Sequence, residues 1–542
     1  MLPNPGRLPS VMNHSFSEVP KASIPRSTFN RSHGHKTTFD SGYLIPVYVD
    51  EALPGDTFNL RMSSFARLST PIVPVMDNLY IDTFFFAVPK RIIWNNFKKM
   101  MGEQTDPGDS IDYTVPQMVS PVTTGYSENT LHDYLGIPPG VGTLSHSSLW
   151  HRAYNLIWNE WFRDENLQDS VVVDKDDGPD TSTDYVLLKR GKRHDYFTSC
   201  LPWTQKGDAV TMPLGTDAPV TGIGKLNQNY ALGPVNAYET DGTGTVSYAD
   251  YRLFDSGTDN EKIYLEEDPN NAGFPNIRAD LSNATAATIN ALRLAFQTQK
   301  LLERDARGGT RYTELVRSHF GVTSPDGRQQ RPELLALGSK QITFTPIPQT
   351  AATDTGSSSQ TPQGNLAAMA QVSQNGVGFV KSFTEHCVLL GLVSVRADLN
   401  YQQGLNRMFS RSTRYDFYWP ALAHIGEQSV LNKEIYAQGD GNPTEDAATF
   451  GYQERYAEYR YKPSQISGKF RSAASGTLEI WHLAQDFGSL PTLNSTFIQE
   501  SPPMDRIQAV TTEPEILFDS YFDLKCARPM PVYSVPGLID HF

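Results

Sequence analysis

Strand-like sequence stands at both ends of this 542-residue chain, so its first and last strands must find each other across almost everything between. Near the start, Thr38–Val49 and Asp56–Phe65 are rich in β-branched and aromatic residues and are separated by the turn Leu53-Pro54-Gly55-Asp56. Near the end, Ile516–Cys526 has the same texture. The strongest strand signal is Leu79–Val88, LYIDTFFFAV, which ends at Pro89 and has only Asp82 and Thr83 as polar positions. It reads as a strand buried on both faces. Further strand patterns lie at Gln341–Pro346, Glu385–Ala397, Phe417–Ile425, Gln453–Tyr461 and Gly476–Leu483. End-to-end strand pairing around long insertions is what a double-sheet jelly roll with elaborated loops produces. A multi-domain β enzyme is the other architecture this pattern allows.

Helical periodicity is confined to three places. Ile92–Met101 places Ile93, Trp94, Phe97 and Met101 on one face. Trp150–Asn166 repeats Trp150, Tyr154, Ile157, Trp158 and Trp161 at spacings of three and four, with Ser147 or Ser148 available as a cap. The third runs over Thr285–Asp305, with Ile289, Leu292, Phe296 and Leu301 on one side and Gly308-Gly309 as its stop. With 37 Pro and 40 Gly, the rest of the chain turns often. Lys206–Pro275 is poor in periodic apolar residues and rich in Gly, Asp, Asn and Thr, the mark of a functional surface insertion. Thr350–Asn375, rich in Gln, Ser and Thr, reads as a second surface loop.

Charge divides the chain. The whole carries −14, which argues against a protein that wraps nucleic acid by bulk charge. Met1–Phe39 instead has five Lys/Arg against one acid, and Cys200–Asn290 has five against twelve. A protein with one side toward nucleic acid and the other toward solvent has such a distribution, and so do ordinary solvated tails and loops. Cys200, Cys387 and Cys526 are too few and too far apart for a disulfide framework or a zinc site, which suits assembly in a reducing cytoplasm. The N-terminus lacks a secretory pattern, and the longest apolar run, Cys387–Val395, is too short for a bilayer span of ~20 residues.

No constellation for catalysis emerges. Gly222-Ile223-Gly224-Lys225 has Pro219 where a phosphate loop needs its first Gly, and Leu226 after the Lys. There is no Gly-x-Ser-x-Gly elbow and no His-Glu-x-x-His. His33-Gly34-His35 is a lone histidine pair, and Asp174, Asp176, Asp177 and Asp180 lack the Gly and Glu placement of a calcium loop. Glu160 and Glu165 point in different directions on the Trp-rich helix. The expectation is therefore no catalytic residue, no metal and no cofactor.

Cations and aromatics do mix in three runs. These are Lys189–Arg193 with Tyr196 and Phe197, then Arg407, Arg411 and Arg414 with Tyr415 and Phe417, and finally Arg455–Lys462. Such mixtures hold single-stranded nucleic acid or build protein interfaces. The last two runs are read as subunit interface. The N-terminal cations Lys21, Arg26, Arg31 and Lys36 are read as DNA-binding residues.

Long segments are also familiar. Arg26–Leu60, Pro71–Glu103, Leu149–Asp169, Leu292–Val322 and Phe450–Arg471 resemble the major capsid protein of the gokushoviruses, within the Microviridae, and the resemblance runs through nearly the whole chain. It implies a mainly β fold, an eight-stranded antiparallel jelly roll with long loop insertions and a few helices. Residues 1–40 would be an extended arm, 41–205 the first part of the jelly roll, 206–275 a variable surface insertion, and 276–542 the remainder. The resemblance implies a homo-oligomer, a sixty-copy T=1 shell around circular single-stranded DNA, with a small internal DNA-binding or scaffolding protein as a partner. It further implies that Lys206–Pro275 forms protrusions at the threefold axes and meets a bacterial surface receptor. The protein would then belong to the virion, and to the host cytoplasm during assembly. A surface carbohydrate-binding β protein, a β-rich hydrolase and a capsid-associated spike are the rival readings.

Overall fold

The computed structural model describes residues 25–211, 289–351 and 363–533, together with three short backbone pairings. Those pairings join Val220–Thr221 to Arg278–Ala279, Ile223–Gly224 to Tyr264–Leu265, and Thr353–Asp354 to Gln360–Thr361. Residues 205–307 form one compact unit, and the remainder of the chain forms the other.

In the larger unit, nine strands carry the fold. They are β1 (Ser27–Asn30), β2 (His33–Phe39), β3 (Ile45–Ala52), β4 (Thr57–Leu68) and β5 (Leu79–Pro89), followed by β6 (Glu333–Pro348), β7 (Leu366–Ser382), β8 (Cys387–Ala397) and β9 (Ile516–Arg528). One sheet has the order β2-β9-β4-β7, with β1 continuing β2 along β9, and the other β3-β8-β5-β6. All of these pairings are antiparallel. The first part of β6 pairs with β5, up to Ile342 opposite Leu79, and from Thr343 onward it pairs with β7, so β6 links the two sheets. Two four-stranded sheets in this order are an eight-stranded jelly roll, with strands β2 to β9.

The reason for two sheets is the apolar layer between them. Phe58, Leu60, Met62, Phe518 and Phe522 from one sheet meet Leu79, Ile81, Phe85, Leu389, Val393 and Val395 from the other. Each such side chain contributes about 1.5–3 kcal/mol by leaving water. Gly391 stands where a Cβ would lie 2.7 Å from the Tyr48 Cβ and 2.8 Å from the Phe85 ring, so only glycine lets β8 pass these side chains. The long excursions leave opposite ends of this sheet: residues 90–332 from beside Cys387, and residues 398–515 from beside Leu79.

Residues 92–188 of the first excursion cover the outer face of the β3-β8-β5-β6 sheet. Helix α1 (Leu149–Trp161) lays Ala153, Tyr154, Ile157 and Trp158 into the cluster formed by Phe84, Phe86, Val88, Leu390 and Leu392. Arg152 of α1 is wholly buried, paired with the equally buried Asp180, and donates to the Asp176 carbonyl at 2.9 Å. Tyr154 donates to the Leu44 carbonyl at 2.9 Å. Ser148 occupies the cap position without a side-chain cap bond, and the helix stops at Trp161, short of Asn166. In the smaller unit, α2 (Ile289–Gly308) ends on the expected glycine, and the expected first residues 285–288 lie outside the described residues.

Several expectations are corrected. Ile92–Met101 is not one helix but two turns, Lys90–Ile93 and Phe97–Met100. Trp94 goes extended between them, where its indole reaches the Asp177 carboxylate at 2.7 Å. Thr38–Val49 is two strands broken at Gly42, whose φ of +81° and contact with the Glu500 carbonyl exclude a side chain. The expected polar loop Thr350–Asn375 becomes strand β7 from Leu366 onward. Up to Asn375 its buried residues are only Ala370, Val372 and a Gln374 bonded to the Thr83 hydroxyl at 3.0 Å, so hydrophobicity hides the strand there. Phe417–Ile425 and Gly476–Leu483 form no strands, and carry single 3-10 turns at Pro420–Leu422 and Glu479–Trp481. The Gln453–Tyr461 strand lies earlier, at Thr449–Glu454, because the chain turns at Tyr456 with φ 64°. The second half of the expected arm, from Ser27, is laid along β9 as two strands.

Candidate functional site

A chain that acts through its surfaces can offer a partner only those polar and aromatic groups not already committed internally. Lys21 lies outside the described residues, as does most of Lys206–Pro275. Arg31 is committed: its guanidinium forms a two-pronged pair with Asp50 at 2.7 and 2.8 Å. Burial works against that charge, but the Asp50 carboxylate outweighs it and raises the Arg31 pKa. Arg26 is exposed and donates to the Thr57 hydroxyl at 2.5 Å. Lys36 is exposed and pairs with Asp519 at 2.9 Å, a contact of little energetic weight in water.

The cationic run Lys189–Arg193 is largely structural. Arg190 reaches the buried Asp82 at 2.6 Å, Lys192 is itself buried over the Phe497 ring, and Lys189 lies 5.0 Å from the Tyr43 ring. Burial opposes ionisation of Asp82. The Ser339 hydroxyl, with Arg190 and Arg396, nevertheless holds its pKa below the usual carboxylate range.

The other two runs meet on one exposed surface. Arg411 lies 4.3 Å from the Tyr459 ring and 5.5 Å from that of Phe417, and Arg414 stacks over Trp419 at 5.0 Å. Tyr418 packs edge-on against Tyr456 and Tyr459, and Arg455 donates to the Tyr415 carbonyl at 2.9 Å. Phe409, Tyr415, Phe417, Tyr418, Tyr459 and Tyr461 all leave half or more of their surface in solvent. The arginines here are mostly paired, Arg407 with Glu434 at 2.8 Å, Arg411 with Glu458 at 3.7 Å and Arg460 with Glu454. A monomer rarely exposes so much contiguous aromatic surface, and Tyr, Trp and Arg are the residues that anchor protein interfaces.

Candidate chemistry is absent among the described residues. Asp177 accepts from Trp94 and Asn96, while Asp176 and Asp180 serve Arg152, so the acidic run has internal donors in place of a cation. No group of three or more His, Cys, Asp or Glu there is placed to hold a metal ion. In the cavity of about 50 Å³ lined by Tyr196, Arg407 and Glu434, Glu434 accepts hydrogen bonds from the other two. All three cysteines are free and buried, and burial pushes the Cys387 thiol up to about 12. No helix among the described residues is long and apolar enough to cross a membrane.

A jelly roll with a large exposed aromatic surface suits a shell subunit, and comparison with known proteins agrees. The profile of the phage capsid protein (F protein) family matches residues 17–538. The chain belongs to that family. Capsid protein VP1 of Bdellovibrio phage phiMH2K is 46% identical over 539 residues, covering 98% of each chain. Capsid protein VP1 of Chlamydia phage 1 is 44% identical, covering 98% of this chain and 99% of its own, and that of Spiroplasma virus 4 is 38% identical, covering 97% of both. All three relatives are gokushovirus proteins, the group that the sequence segments resemble. This capsid protein is thus a structural component of a virion that self-assembles, and it is not an enzyme.

Sequence reasoning missed two features of the capsid protein. One is a buried histidine cluster. His132 and His151 share a hydrogen bond at 2.9 Å, His146 meets the Tyr126 hydroxyl at 2.9 Å, and Tyr126 stacks on His132 at 3.7 Å. Burial, and then the neighbouring His146, pushes His132 down to about 4, and burial also lowers His146 and His151. These residues are too widely spaced to form a motif. The other is the outer face of the β2-β9-β4-β7 sheet, whose alternating polar positions are visible along each strand but whose combination depends on register.

Proposed function

We propose that sixty copies of this capsid protein build a T=1 icosahedral shell around a circular single-stranded DNA genome, assembling in the host cytoplasm. The observation that carries the reading is the exposed aromatic and arginine surface at residues 408–425 and 455–461 in a chain of capsid ancestry. Subunit interfaces of ~1,600 Å² need such anchors, ringed by polar contacts, and symmetry multiplies each modest contact over the whole shell. In the smaller unit, α2 leaves Ile289, Leu294, Phe296 and Leu301 exposed, which supports contact with neighbouring copies there as well. The insertion Lys206–Pro275 is assigned to protrusions at the threefold axes and to a bacterial surface receptor because the gokushovirus resemblance implies them, and its acidic, Gly/Asn/Thr-rich composition suits an exposed segment. Lys21, Arg26, Arg31 and Lys36 are assigned to the genome side, together with a small internal DNA-binding or scaffolding protein. Arg31 is the weakest of the four because Asp50 already holds it.

Electron microscopy of the purified chain tests the assembly reading. Closed shells are expected from the unaltered chain, and dispersed subunits from Phe417→Ser with Tyr459→Ser. Normal shells from that double variant would remove this surface from the interface. Shells without knobs after deletion of 206–275 would support the insertion's place, and unchanged knobs would refute it.

A further inference from the structure

We propose that the outer face of the β2-β9-β4-β7 sheet binds single-stranded DNA, with Phe65 and Tyr521 stacking on unpaired bases and Lys36, Arg61, Arg67 and Lys525 meeting phosphates. This rests on the reading that the shell encloses a single-stranded genome, and it goes further by naming the surface and the stacking residues.

The face is built by strict alternation. In β4 and β9 the even-numbered positions fill the core, while Asn59, Arg61, Ser63, Phe65 and Arg67 and their counterparts Leu517, Asp519, Tyr521, Asp523 and Lys525 point to solvent. Registers bring these together: Phe65 lies opposite Asp519, and Tyr521 opposite Ser63. The two rings are therefore diagonal neighbours on one face, with Cα atoms ~7–8 Å apart, within reach of adjacent bases of one strand. Around them stand Gly34 and Thr38 on β2 and Ser373, Asn375 and Gly378 on β7, small or hydrogen-bonding positions that leave room for a flat base.

Charge favours a polyanion. The face carries four cations, Lys36, Arg61, Arg67 and Lys525, against the two carboxylates Asp519 and Asp523, an excess of +2 in a chain of net charge −14. Arg26 stands at the same corner on Thr57. Among the described residues no ion pair engages Arg61, Arg67 or Lys525, and Arg67 lies 5.9 Å over the Phe65 ring. Cations beside aromatic faces are the combination that holds single strands without reading sequence. The aromatic surface at 408–461 differs in this respect, because acids neutralise most of its arginines. A contact between protein copies would also draw on an apolar patch depleted of charge at its centre. Here each exposed apolar residue is flanked by charged or hydroxyl groups.

The test is fluorescence anisotropy of labelled oligothymidine with full-length dissociated subunits across a salt series. Phe65→Ala with Tyr521→Ala should weaken binding about 30-fold or more and leave the salt slope unchanged. Arg61→Ser, Arg67→Ser and Lys525→Ser together should flatten the slope by about 2. Affinity unchanged within about twofold in both variants would overturn the proposal. So would a variant that keeps oligothymidine binding but loses shell assembly, because the face would then join protein copies. Ultraviolet cross-linking of unaltered particles, read by peptide mass spectrometry, needs no variant. Cross-links at the peptides bearing Phe65 and Tyr521 are expected, and cross-links confined to other peptides would overturn the face while leaving the genome reading intact. Particles holding double-stranded nucleic acid, or none, would overturn that reading itself.

Discussion

In β8 every position from Cys387 to Ala397 is buried, whereas in β9, on the opposite sheet, burial alternates without a break from Ile516 to Cys526. Both strands lie inside their sheets and face the same core, so the difference comes from what stands behind them. Behind β8 and β5 residues 92–188 supply α1 and a second apolar cluster. Behind β9 and β4 nothing among the described residues packs, and polar and aromatic side chains face solvent. One sheet is covered on both faces, and the other leaves its outer face in solvent.

Substitutions should separate the two sheets by their cost. Phe86→Ala, behind the covered sheet against Trp161 and Phe162, should lower unfolding free energy by about 3–5 kcal/mol in chemical denaturation. Asp180→Asn should cost a similar or slightly smaller amount, about 3 kcal/mol, since it strands the fully buried Arg152 behind that same sheet. Arg31→Ala, at the edge of the free sheet, should cost about 1.5–3 kcal/mol by removing the charged bonds to Asp50. Phe65→Ala, on the free face, should stay within about 0.5 kcal/mol of the unaltered chain. If the Phe65 and Phe86 substitutions cost the same, the contrast between the sheets fails.

Acid sharpens the comparison further, because the histidine cluster belongs to the covered side. His132 titrates at about 4 when folded, below its ordinary 6.5, so the unfolded chain binds its proton first as pH falls. Its contribution is therefore fully present above about pH 6.5 and is lost as pH drops toward about 4. His146 and His151, also lowered, act in the same direction. Thermal melts of the dissociated subunit from pH 7 to 4 should show this decline, and His132→Phe should make it shallower. An equally steep decline in that variant would place the acid sensitivity elsewhere.

Legibility followed the same division. The covered sheet announced itself, since LYIDTFFFAV and CVLLGLVSV are apolar on both faces and nothing but a doubly buried strand suits them. The free sheet was harder to read. The first half of β7 reads as a loop because alanine, a bonded glutamine and an outward Ser and Asn give little hydrophobic signal. Phe417–Trp419 erred the other way, as aromatic residues kept for a surface imitate a strand. The exposed aromatic surface itself was visible as two Arg/Tyr runs, but their meeting was not.

Local sequence thus determined the mainly β class, the position of α1 and the strands that close the barrel end to end, because burial on one or both faces writes itself into residue periodicity. Only the tertiary structure decided that Arg31, Arg190 and Lys192 are spent internally while Arg61, Arg67 and Lys525 are not. A side chain's availability depends on partners that register and packing bring from hundreds of residues away, and no spacing along the chain encodes that.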